Sequence, residues 1–537
     1  MLAFLAFLAL ALSWSLGTPL LSAADEPEQS VKAAAAVRME FSGHDHIWNL
    51  AGWQGGYSTP DYLEVAYGLP HSLVKALAEN DPQCYAFRVG TTPVCTVKAN
   101  ADKAAVAGDT ASSHMNYSPL YYLLVGWPSL FLHGDAALYG MRIASALITA
   151  ALLAAAFVTT SRRRGAAAIG ILAAATPAAI YFGSVVNPSG LEICSALLAW
   201  ASFASMVHAE PDAPGLRRDR ILFATSAVLL ILTRPLGSLW LAMIVVLVLV
   251  TATDLRTRVR ELIRGRGAWW IGGVIATALA ATLAWDTTQN TMGIVPQTNP
   301  KFTFAMGAYL TLQQTPNLIA QMLGMVGWND VRVPQATTLL WCGVVAVLVL
   351  PAFALGNRRE RLALLATTVL VVVFPMAFEG YSGASYGVGW QGRYTLPLAV
   401  GMPLLGAEIL MRRLRSVPWS GMGGALRSLA NTLAGTLAIA YLFEVWWAWR
   451  RYAQGLSGKT VPMPAKWTPP VGWPVALGLA VIGCIGLVLL LRWTSAEVER
   501  GDAPAVDADS GDDEGAPAAA EPAGESTSTS TLQRSIT

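Results

Sequence analysis

The sequence contains few charged residues. Among 537 residues it has 36 Lys and Arg and 34 Asp and Glu, which together make up 13% of the chain. Soluble proteins carry about a quarter charged residues, so an ordinary soluble domain is excluded for most of the chain. The net charge is +2 and no basic domain or nucleic-acid-binding module is present, so we expect no nucleic-acid partner.

The sequence also lacks the spacings that hold metals and nucleotides. The most suggestive group is His44-Asp45-His46, with His71 and His114 nearby, but it has no standard zinc spacing. No glycine-rich phosphate loop of the nucleotide-binding type is present. We therefore predict no metal site and no cofactor, and we expect any activated donor to be linked to a lipid.

Long apolar segments fill much of the chain, and 54% of all residues are hydrophobic. Leu339–Leu355, for example, contains no charged residue. A helix needs about 17–25 residues to cross the roughly 30 Å hydrocarbon core of a bilayer. Ile221–Thr233 and Leu236–Val250 are shorter, with Arg234-Pro235 between them. We predict an all-α polytopic membrane protein with about twelve transmembrane helices, within a range of about eleven to thirteen.

Basic residues recur in short loops between the apolar segments. Short loops rich in Lys and Arg stay in the cytoplasm, and this alternation predicts that both termini are cytoplasmic. A cleaved signal peptide that ends near Ala24 is the alternative to a retained first helix, but no Lys or Arg precedes the first apolar run. The basic loops are 162–164, 217–220, 256–266, 358–361 and 412–415.

Polar stretches divide the chain into segments. Two of them are long enough to suggest a function beyond connecting helices, and the C-terminal segment has an acidic, low-complexity composition that cannot form a core. We predict a first transmembrane helix at 1–22, an extracytoplasmic loop with juxtamembrane helices at 23–135, transmembrane helices at 136–286, a second extracytoplasmic loop at 287–335, transmembrane helices at 336–492 and a disordered acidic cytoplasmic tail at 493–537.

The five cysteines form two groups. Cys194, Cys342 and Cys484 lie in apolar segments and are typical of small buried hydrophobic residues. Cys84 and Cys95 lie together in the first polar loop. An extracytoplasmic loop is exposed to oxidising conditions, so we predict a disulfide between these two; two free thiols are the alternative.

Two carboxylates, Asp25 and Glu26, immediately follow the first apolar run. A general base that activates a sugar hydroxyl must lie within hydrogen-bond reach of it. If the sugar hangs from a lipid, that base must lie near the headgroups, where Asp25 is expected. The same residues also match a helix N-cap, with Glu28 at the third helical position as in a capping box. The residue pattern leaves both interpretations open.

Two arginines, Arg234 and Arg393, lie at the outer ends of apolar segments. Ionisable residues in membrane segments are candidates for function, and a guanidinium can bind phosphate through two parallel hydrogen bonds. A lipid phosphate contact is therefore one interpretation, and a snorkelling or helix-capping arginine is the other. Tyr117 precedes Ser118-Pro119, which begins either a substrate-facing helix or an ordinary one.

Four short motifs resemble the signatures of a known family. They are similar to motifs of the actinobacterial membrane proteins catalogued as domain of unknown function 2142, and the resemblance extends from the first apolar segment to about Leu410. The last motif is the most specific. In chain order the motifs are Ala24-Asp25-Glu26-Pro27-Glu28, Asn187-Pro188-Ser189-Gly190-Leu191-Glu192, Gly327-Trp328-Asn329-Asp330 and Gln391-Gly392-Arg393-Tyr394-Thr395-Leu396-Pro397.

That family resembles the GT-C class of glycosyltransferases, which are polytopic and transfer sugars from polyprenyl-phosphate donors with inversion. The resemblance implies that Asp25 is the general base, that Glu26 assists it, and that Arg393, with Arg234, contacts the lipid phosphate. It implies an acceptor in the cell envelope, which is a glycan, a lipid or a protein. The remaining predicted substrate-binding residues are Tyr117, Asn187, Glu192, Asp330, Trp390, Gln391 and Tyr394.

Two other functions stay open. A transporter or flippase of lipid-linked sugars predicts ionisable residues near the middle of the membrane and two related halves, whereas the charged candidates lie at helix ends and we find no internal repeat. A non-catalytic envelope scaffold would use the long first loop to bind a partner and would tolerate the loss of Asp25.

Overall fold

The computed structural model describes residues 1–41, 44–45, 65–96, 110–112, 117–210, 213–264, 266–289, 299, 301–332, 334–417 and 421–502. Most of these residues are helical, which confirms the predicted all-α polytopic fold. The helices are α1 Leu2–Gly17, α2 Glu26–Ala36, α3 His71–Glu79, α4 Leu120–Gly126, α5 Gly134–Arg164, α6 Ile169–Ala174, α7 Pro177–Ser184, α8 Pro188–His208, α9 Leu216–Thr233, α10 Gly237–Val250, α11 Leu255–Ile263, α12 Arg266–Thr288, α13 Phe304–Leu323, α14 Gln335–Leu355, α15 Arg358–Tyr386, α16 Gly392–Ala399, α17 Gly401–Arg415, α18 Met422–Gln454 and α19 Trp473–Asp502.

Within the described ranges, eight helical segments are long and apolar enough to cross a membrane. The apolar helices α1 and α10 are shorter than these. Helices α9 and α13 have 18 and 20 residues but a more mixed composition. The chain is a multi-pass membrane protein, and the expected number of about twelve spans stays a prediction.

Helix α8 lies at the centre of the bundle. Every residue from Pro188 to Val207 in it is buried. Its first turn packs tightly on α7, since a Cβ at Gly190 would lie 2.4 Å from the Cα of Gly183. Only glycine permits this approach, which brings the end of α7 and the Asn187 motif together beside the chain that follows α1.

The chain breaks between α9 and α10, as the Arg234-Pro235 step predicts. Arg234 has an extended backbone after the last turn of α9, because a residue before proline is disfavoured in the helical region. The chain then turns back closely, and a Cβ at Gly237 would lie 1.8 Å from the carbonyl oxygen of Leu230. The break leaves the Arg234 side chain at a helix end, beside Glu192 of α8.

In its described residues, the first polar loop contains the helices α2, α3 and α4 and a small sheet. α2 packs against α4, where a Cβ at Gly126 would lie 2.1 Å from the carbonyl oxygen of Ala33. The strands β1 His44–Asp45, β2 Val65–Tyr67 and β3 Thr110–Ser112 form an antiparallel sheet in the order β1-β2-β3. Strands of two or three residues carry no alternating pattern, so the sequence did not indicate them. A disulfide joins Cys84 to Cys95 in the same loop.

Two predicted segments contain more helix than we expected. The second polar loop, expected over 287–335, contains the twenty-residue helix α13, whose Gln, Asn and Thr residues interrupt the apolar pattern that marks a helix. The tail is expected from 493, and helix α19 continues past this position to Asp502. Residues 503–537 lie outside the described ranges.

The basic loops meet at one end of the bundle. Arg163 at the end of α5 pairs with Asp219 of α9 at 2.9 Å, and Arg413 of α17 pairs with Glu360 of α15 at 2.7 Å. α5 has 31 residues and is therefore about 46 Å long at ~1.5 Å per residue. Its first turns lie near Asp25 and its last turn lies in this basic cluster. We call the end of the bundle that carries Asp25 the site end.

Candidate functional site

Asp25 lies in a tight turn between α1 and α2. Its φ is 63°, a left-handed backbone that few residues other than glycine adopt. The backbone N–H of the preceding Ala24 donates to the carbonyl of Gly327 at 3.0 Å. Asp25 occupies the N-cap position of α2, but its side chain makes no capping hydrogen bond. The capping interpretation is therefore wrong for this carboxylate, which points elsewhere.

The Asp25 carboxylate pairs with the guanidinium of Arg393, a residue 368 positions later in the chain. The Arg393 side chain is 1% exposed, whereas that of Asp25 is 26% exposed. Arg393 also donates to the Tyr394 hydroxyl at 3.1 Å and lies over the ring of Phe182 at 5.2 Å. The carboxylate is thus accessible from outside while its partner is enclosed in the protein.

Glu26, beside Asp25 in sequence, faces the interior. Its two carboxylate oxygens accept hydrogen bonds from Nε and Nη2 of Arg142, both at 2.6 Å. Both side chains are buried, at 1% and 0% exposure. Arg142 also donates to the carbonyl oxygens of Thr18 and Pro19, at 3.0 and 2.7 Å. This bidentate pair fastens the chain on both sides of the turn and so holds Asp25 in place.

Arg234 forms a second buried cationic group near the first. Its guanidinium lies 5.2 Å from the ring centres of both Tyr117 and Tyr394. Nη1 of Arg234 lies 3.5 Å from the carboxylate of Glu192, which also accepts from Nε1 of Trp240 at 3.1 Å. Because the Tyr394 ring also lies 5.1 Å from Arg393, this tyrosine stands between the two guanidinium groups.

Several donors of these two arginines have no partner. Nε and Nη2 of Arg234 and Nε of Arg393 are buried and make no hydrogen bond with any residue that the structure describes. Unsatisfied buried donors are rare in proteins and call for an explanation such as a ligand. Burial raises the pKa of Tyr117, so its phenol stays protonated at neutral pH and can donate a hydrogen bond here.

Asn187 braces the turn that carries Asp25. Its Nδ2 donates to the carbonyl of Ala24 at 2.9 Å, and its Oδ1 accepts from the N–H of Ser189 at 3.0 Å. The second bond caps α8. The sequence predicted that Asn187 binds substrate. In the structure its side chain contacts the backbone of Ala24, the residue before Asp25.

The Gln391 motif approaches the site from another side. Gln391 accepts a hydrogen bond from Nδ2 of Asn329 at 3.0 Å. Trp390 is buried, and its Nε1 donates to the hydroxyl of Thr395 at 2.8 Å. These contacts orient the start of α16, which carries Arg393.

Asp330 lies apart from the pair of arginines. Its carboxylate accepts from the backbone N–H groups of Trp328 and Phe87, both at 3.1 Å, and lies 3.5 Å from Arg451. It therefore connects the third motif to the chain segment that the Cys84–Cys95 disulfide closes. The structure brings every other predicted binding residue to the surroundings of Asp25 or of the two arginines.

Sequence reasoning missed Arg142, the partner of Glu26. The available signal was its position as a lone charge early in the apolar segment of α5, since such residues are functional or structural candidates. It also missed Phe182, whose aromatic ring beside Arg393 carried no local signal.

Among the described residues no group of three or more His, Cys, Asp or Glu could hold a metal. His46 and His114 lie outside the described residues.

Comparisons with known proteins give three findings. Two crystal structures of ArnT from Cupriavidus metallidurans resemble this chain. One is bound to undecaprenyl phosphate, with 15% identity and a TM-score of 0.41. The other is in the apo state, with 13% identity and a TM-score of 0.44. Each alignment covers 91% of this chain and 76% of ArnT. No curated protein matches.

A family model matches residues 7–402, which include all four motifs together with Asp25, Arg234 and Arg393. Its description is "Predicted membrane protein (DUF2142)". The matched range extends over well more than half of the 537 residues. The chain therefore belongs to the DUF2142 family of predicted membrane proteins.

Proposed function

We propose that this protein is a GT-C-like, inverting membrane glycosyltransferase. In this proposal it moves a sugar from a polyprenyl-phosphate donor to an acceptor of the cell envelope, on the extracytoplasmic face. The observation that carries the proposal is the pairing of Asp25, whose side chain is 26% exposed, with the buried Arg393, while the buried Arg234 lies nearby. Both guanidinium groups have donors without a partner among the described residues. A carboxylate beside cations suits an attacking hydroxyl beside a departing phosphate.

The reaction follows from the charges. A hydroxyl of the acceptor attacks the anomeric carbon of the donor sugar and forms the new C–O bond. The bond from that carbon to the phosphate oxygen breaks, and its electron pair stays on the phosphate. Asp25 accepts the proton of the attacking hydroxyl, while Arg393 and Arg234 stabilise the negative charge on the leaving phosphate. No nucleotide and no metal takes part in this scheme.

The Asp25–Arg393 pair fits both substrates. A phosphate that approaches Arg393 competes with Asp25 for the guanidinium, and bidentate binding of phosphate by arginine is strong. Once the phosphate is bound, the Asp25 carboxylate has fewer interactions with Arg393 and becomes a better base for the acceptor hydroxyl. Donor binding therefore activates the base.

The orientation of the bundle supports the choice of face. The basic loops lie together at the end opposite Asp25, as Arg163–Asp219 and Arg413–Glu360 show. Short basic loops stay in the cytoplasm. The site end then faces the outside, where lipid-linked sugars and envelope acceptors are available, and a disulfide at Cys84–Cys95 suits that compartment.

The proposal is tested by analysing the envelope glycans of a deletion strain that is complemented with variants. Wild type and Glu79→Gln should restore the missing linkage, and Asp25→Asn should not, at equal protein levels in the membrane. Glu79 is a matched control, since its carboxylate lies on α3 of the same loop and forms only an exposed pair with Lys75.

Two outcomes would overturn the proposal. If Asp25→Asn restores the linkage as fully as wild type, Asp25 is not the base. If the deletion changes no glycan linkage, transfer is rejected, and a transporter of lipid-linked sugars or an envelope scaffold becomes the better explanation.

A further inference from the structure

A polar cavity lies at the site end, apart from Asp25. Its volume is about 190 Å³, many times the roughly 10–15 Å³ that one ordered water needs. Three aromatic residues, Tyr85, Tyr139 and Trp467, and the polar residues Asn80 and Asp135 line it. They come from the disulfide-closed segment, from α3 and α5, and from the connection between α18 and α19.

One buried polar group on the cavity wall has no partner within the described part of the chain. The Tyr85 side chain is 2% exposed, and its hydroxyl makes no hydrogen bond with any described residue. Tyr139 and Trp467 are half-buried and Thr468 and Asp135 are exposed, so their polar groups can be reached from outside. An unpaired buried hydroxyl costs free energy unless a ligand or water satisfies it.

The charge of the wall limits what can bind. The cavity contains the carboxylate of Asp135, which accepts from Nδ2 of Asn80 at 2.8 Å, and among the described residues no Lys, Arg or His lines it. An anionic group such as a phosphate would be repelled and unpaired. A lipid chain would leave the hydroxyl, indole and carboxylate groups unsatisfied. The lining instead combines aromatic rings with hydroxyl and carboxylate groups, which suits a neutral molecule with many hydroxyls and an apolar C–H face.

We propose that this cavity binds one neutral sugar residue. The aromatic rings of Tyr139 and Trp467 would pack on the C–H face of the sugar ring. The Asp135 carboxylate and the hydroxyls of Thr468 and Tyr139 would pair with the sugar hydroxyls. The disulfide fixes the positions of two wall residues relative to each other. Tyr85 directly follows Cys84, and Thr96 directly follows Cys95.

The position of the cavity connects it to the transfer site. Pro19 forms part of its wall, and the carbonyl of Pro19 accepts a hydrogen bond from Arg142, the residue that holds Glu26 beside Asp25. The cavity therefore lies behind the turn rather than in the space between Asp25 and the two arginines. The cavity would hold a sugar of the acceptor away from the hydroxyl that reacts. This role rests on the proposed function, whereas the binding of a sugar in the cavity does not.

The test measures binding directly. Full-length protein in detergent micelles is mixed with neutral glycosides and linear tetrasaccharides of glucose, galactose, mannose and arabinose, and saturation transfer from protein to sugar is recorded by NMR. Glucosamine and galacturonic acid serve as charged probes, and inorganic phosphate is added as a competitor that should not displace the neutral sugar. Trp467→Leu and Asp135→Asn should weaken binding of the best neutral sugar by roughly fivefold or more, the effect of about 1 kcal/mol. Trp446→Leu is the matched control, since this tryptophan of α18 does not line the cavity.

The Asp25→Asn variant separates the two proposals. It should bind the neutral sugar as wild type does, even though transfer is lost. If no neutral sugar binds, if only the charged probes bind, or if Trp446→Leu weakens binding as much as Trp467→Leu does, the sugar site is rejected. Failure of transfer with intact sugar binding would count against the proposed function alone.

Discussion

The guanidinium of Arg142 holds both carboxylate oxygens of Glu26 at 2.6 Å, immediately next to the residue that faces the site, Asp25. Two neighbouring carboxylates thus have different environments. One is paired and enclosed, and the other is partly exposed and pairs with Arg393. The first is suited to hold the turn and the second to accept a proton.

The Glu26–Arg142 pair should matter chiefly for stability. Glu26→Gln leaves the Arg142 charge buried without its partner, and breaking a buried pair in this way costs about 3–5 kcal/mol. We expect a clear drop in the unfolding temperature of the purified protein, measured by scanning fluorimetry in detergent. Asp25→Asn should change that temperature far less. A Glu26→Gln variant that unfolds like wild type but transfers no sugar would show instead that Glu26 acts in the chemistry.

Replacing Asp25 should affect the rate of transfer and leave donor binding largely intact. Removing a general base typically lowers the rate by a factor on the order of 10²–10⁴. We expect Asp25→Asn to lower kcat by that order in membranes supplied with polyprenyl-phosphate-linked sugar, with a KM for the donor that does not rise, because the neutral side chain competes less with the phosphate for Arg393. A kcat that stays within a factor of about two of wild type would contradict the assignment of the base.

Arg393 should be sensitive even to a change that keeps its charge. Lysine lacks the planar fork that binds phosphate through two hydrogen bonds. Arg393→Lys should therefore lower kcat on the order of 10²-fold, as expected when a donor to a developing negative charge is lost. Arg450→Lys is the comparison, since Arg450 of α18 donates, among the described residues, to backbone carbonyls of the connection that follows this helix. Equal losses in both variants would argue against a phosphate contact at Arg393.

The disulfide should stabilise the first loop. The bond closes a loop with a sequence separation of 11, and closing a loop of about this length contributes roughly 3 kcal/mol. We expect the double variant Cys84→Ser/Cys95→Ser to unfold at a lower temperature and to be cut more readily by proteases in that loop. Cys342→Ser, at a free cysteine, should do neither. A double variant as resistant as wild type would contradict this prediction.

Lys32 should make stability depend on pH. Burial lowers the pKa of Lys32 on α2 to about 8, from 10.5 in an exposed lysine. Between these two values the unfolded chain binds more protons than the folded one, so this group makes the free energy of unfolding rise with pH from about 8 to about 10.5. Below pH 8 the cost of burying the charge is fully present.

Lys32→Met should remove this pH dependence, and it also removes the hydrogen bond that Nζ of Lys32 donates to the carbonyl oxygen of Phe41. The unfolding temperature of both proteins, measured from pH 7 to about pH 10, provides the check. Parallel curves for wild type and Lys32→Met would show that Lys32 is not the group responsible.

Much of the fold could be predicted because apolar length and turn residues act locally. The charge-free block at Leu339–Leu355 is part of α14, and the Arg234-Pro235 step ends α9. The first loop, expected to contain helices, contains α3 at His71–Glu79. Where polar residues interrupt the apolar pattern, as in α13, the local signal failed and packing against other helices decided the structure.

The candidate site could be predicted only residue by residue. The motifs pointed to Asp25 and Arg393, and position alone pointed to Arg234 and Tyr117. Nothing in the sequence stated that Arg393 would meet Asp25 across 368 positions. The capping pattern at Asp25 even favoured another role. It failed because the buried guanidinium of Arg393 draws the carboxylate away from the first turn of α2.

By itself the sequence determined that this is a helical membrane protein. It also determined the break at Arg234-Pro235 and that the basic loops share one side. These features follow from the sequence because hydrophobicity and charge act through the position of each residue relative to the membrane. The tertiary structure alone decided which of two adjacent carboxylates is enclosed and which is accessible. That choice depends on partners far along the chain, Arg142 for Glu26 and Arg393 for Asp25, because a charge inside a protein is stabilised only by the groups that packing brings to it.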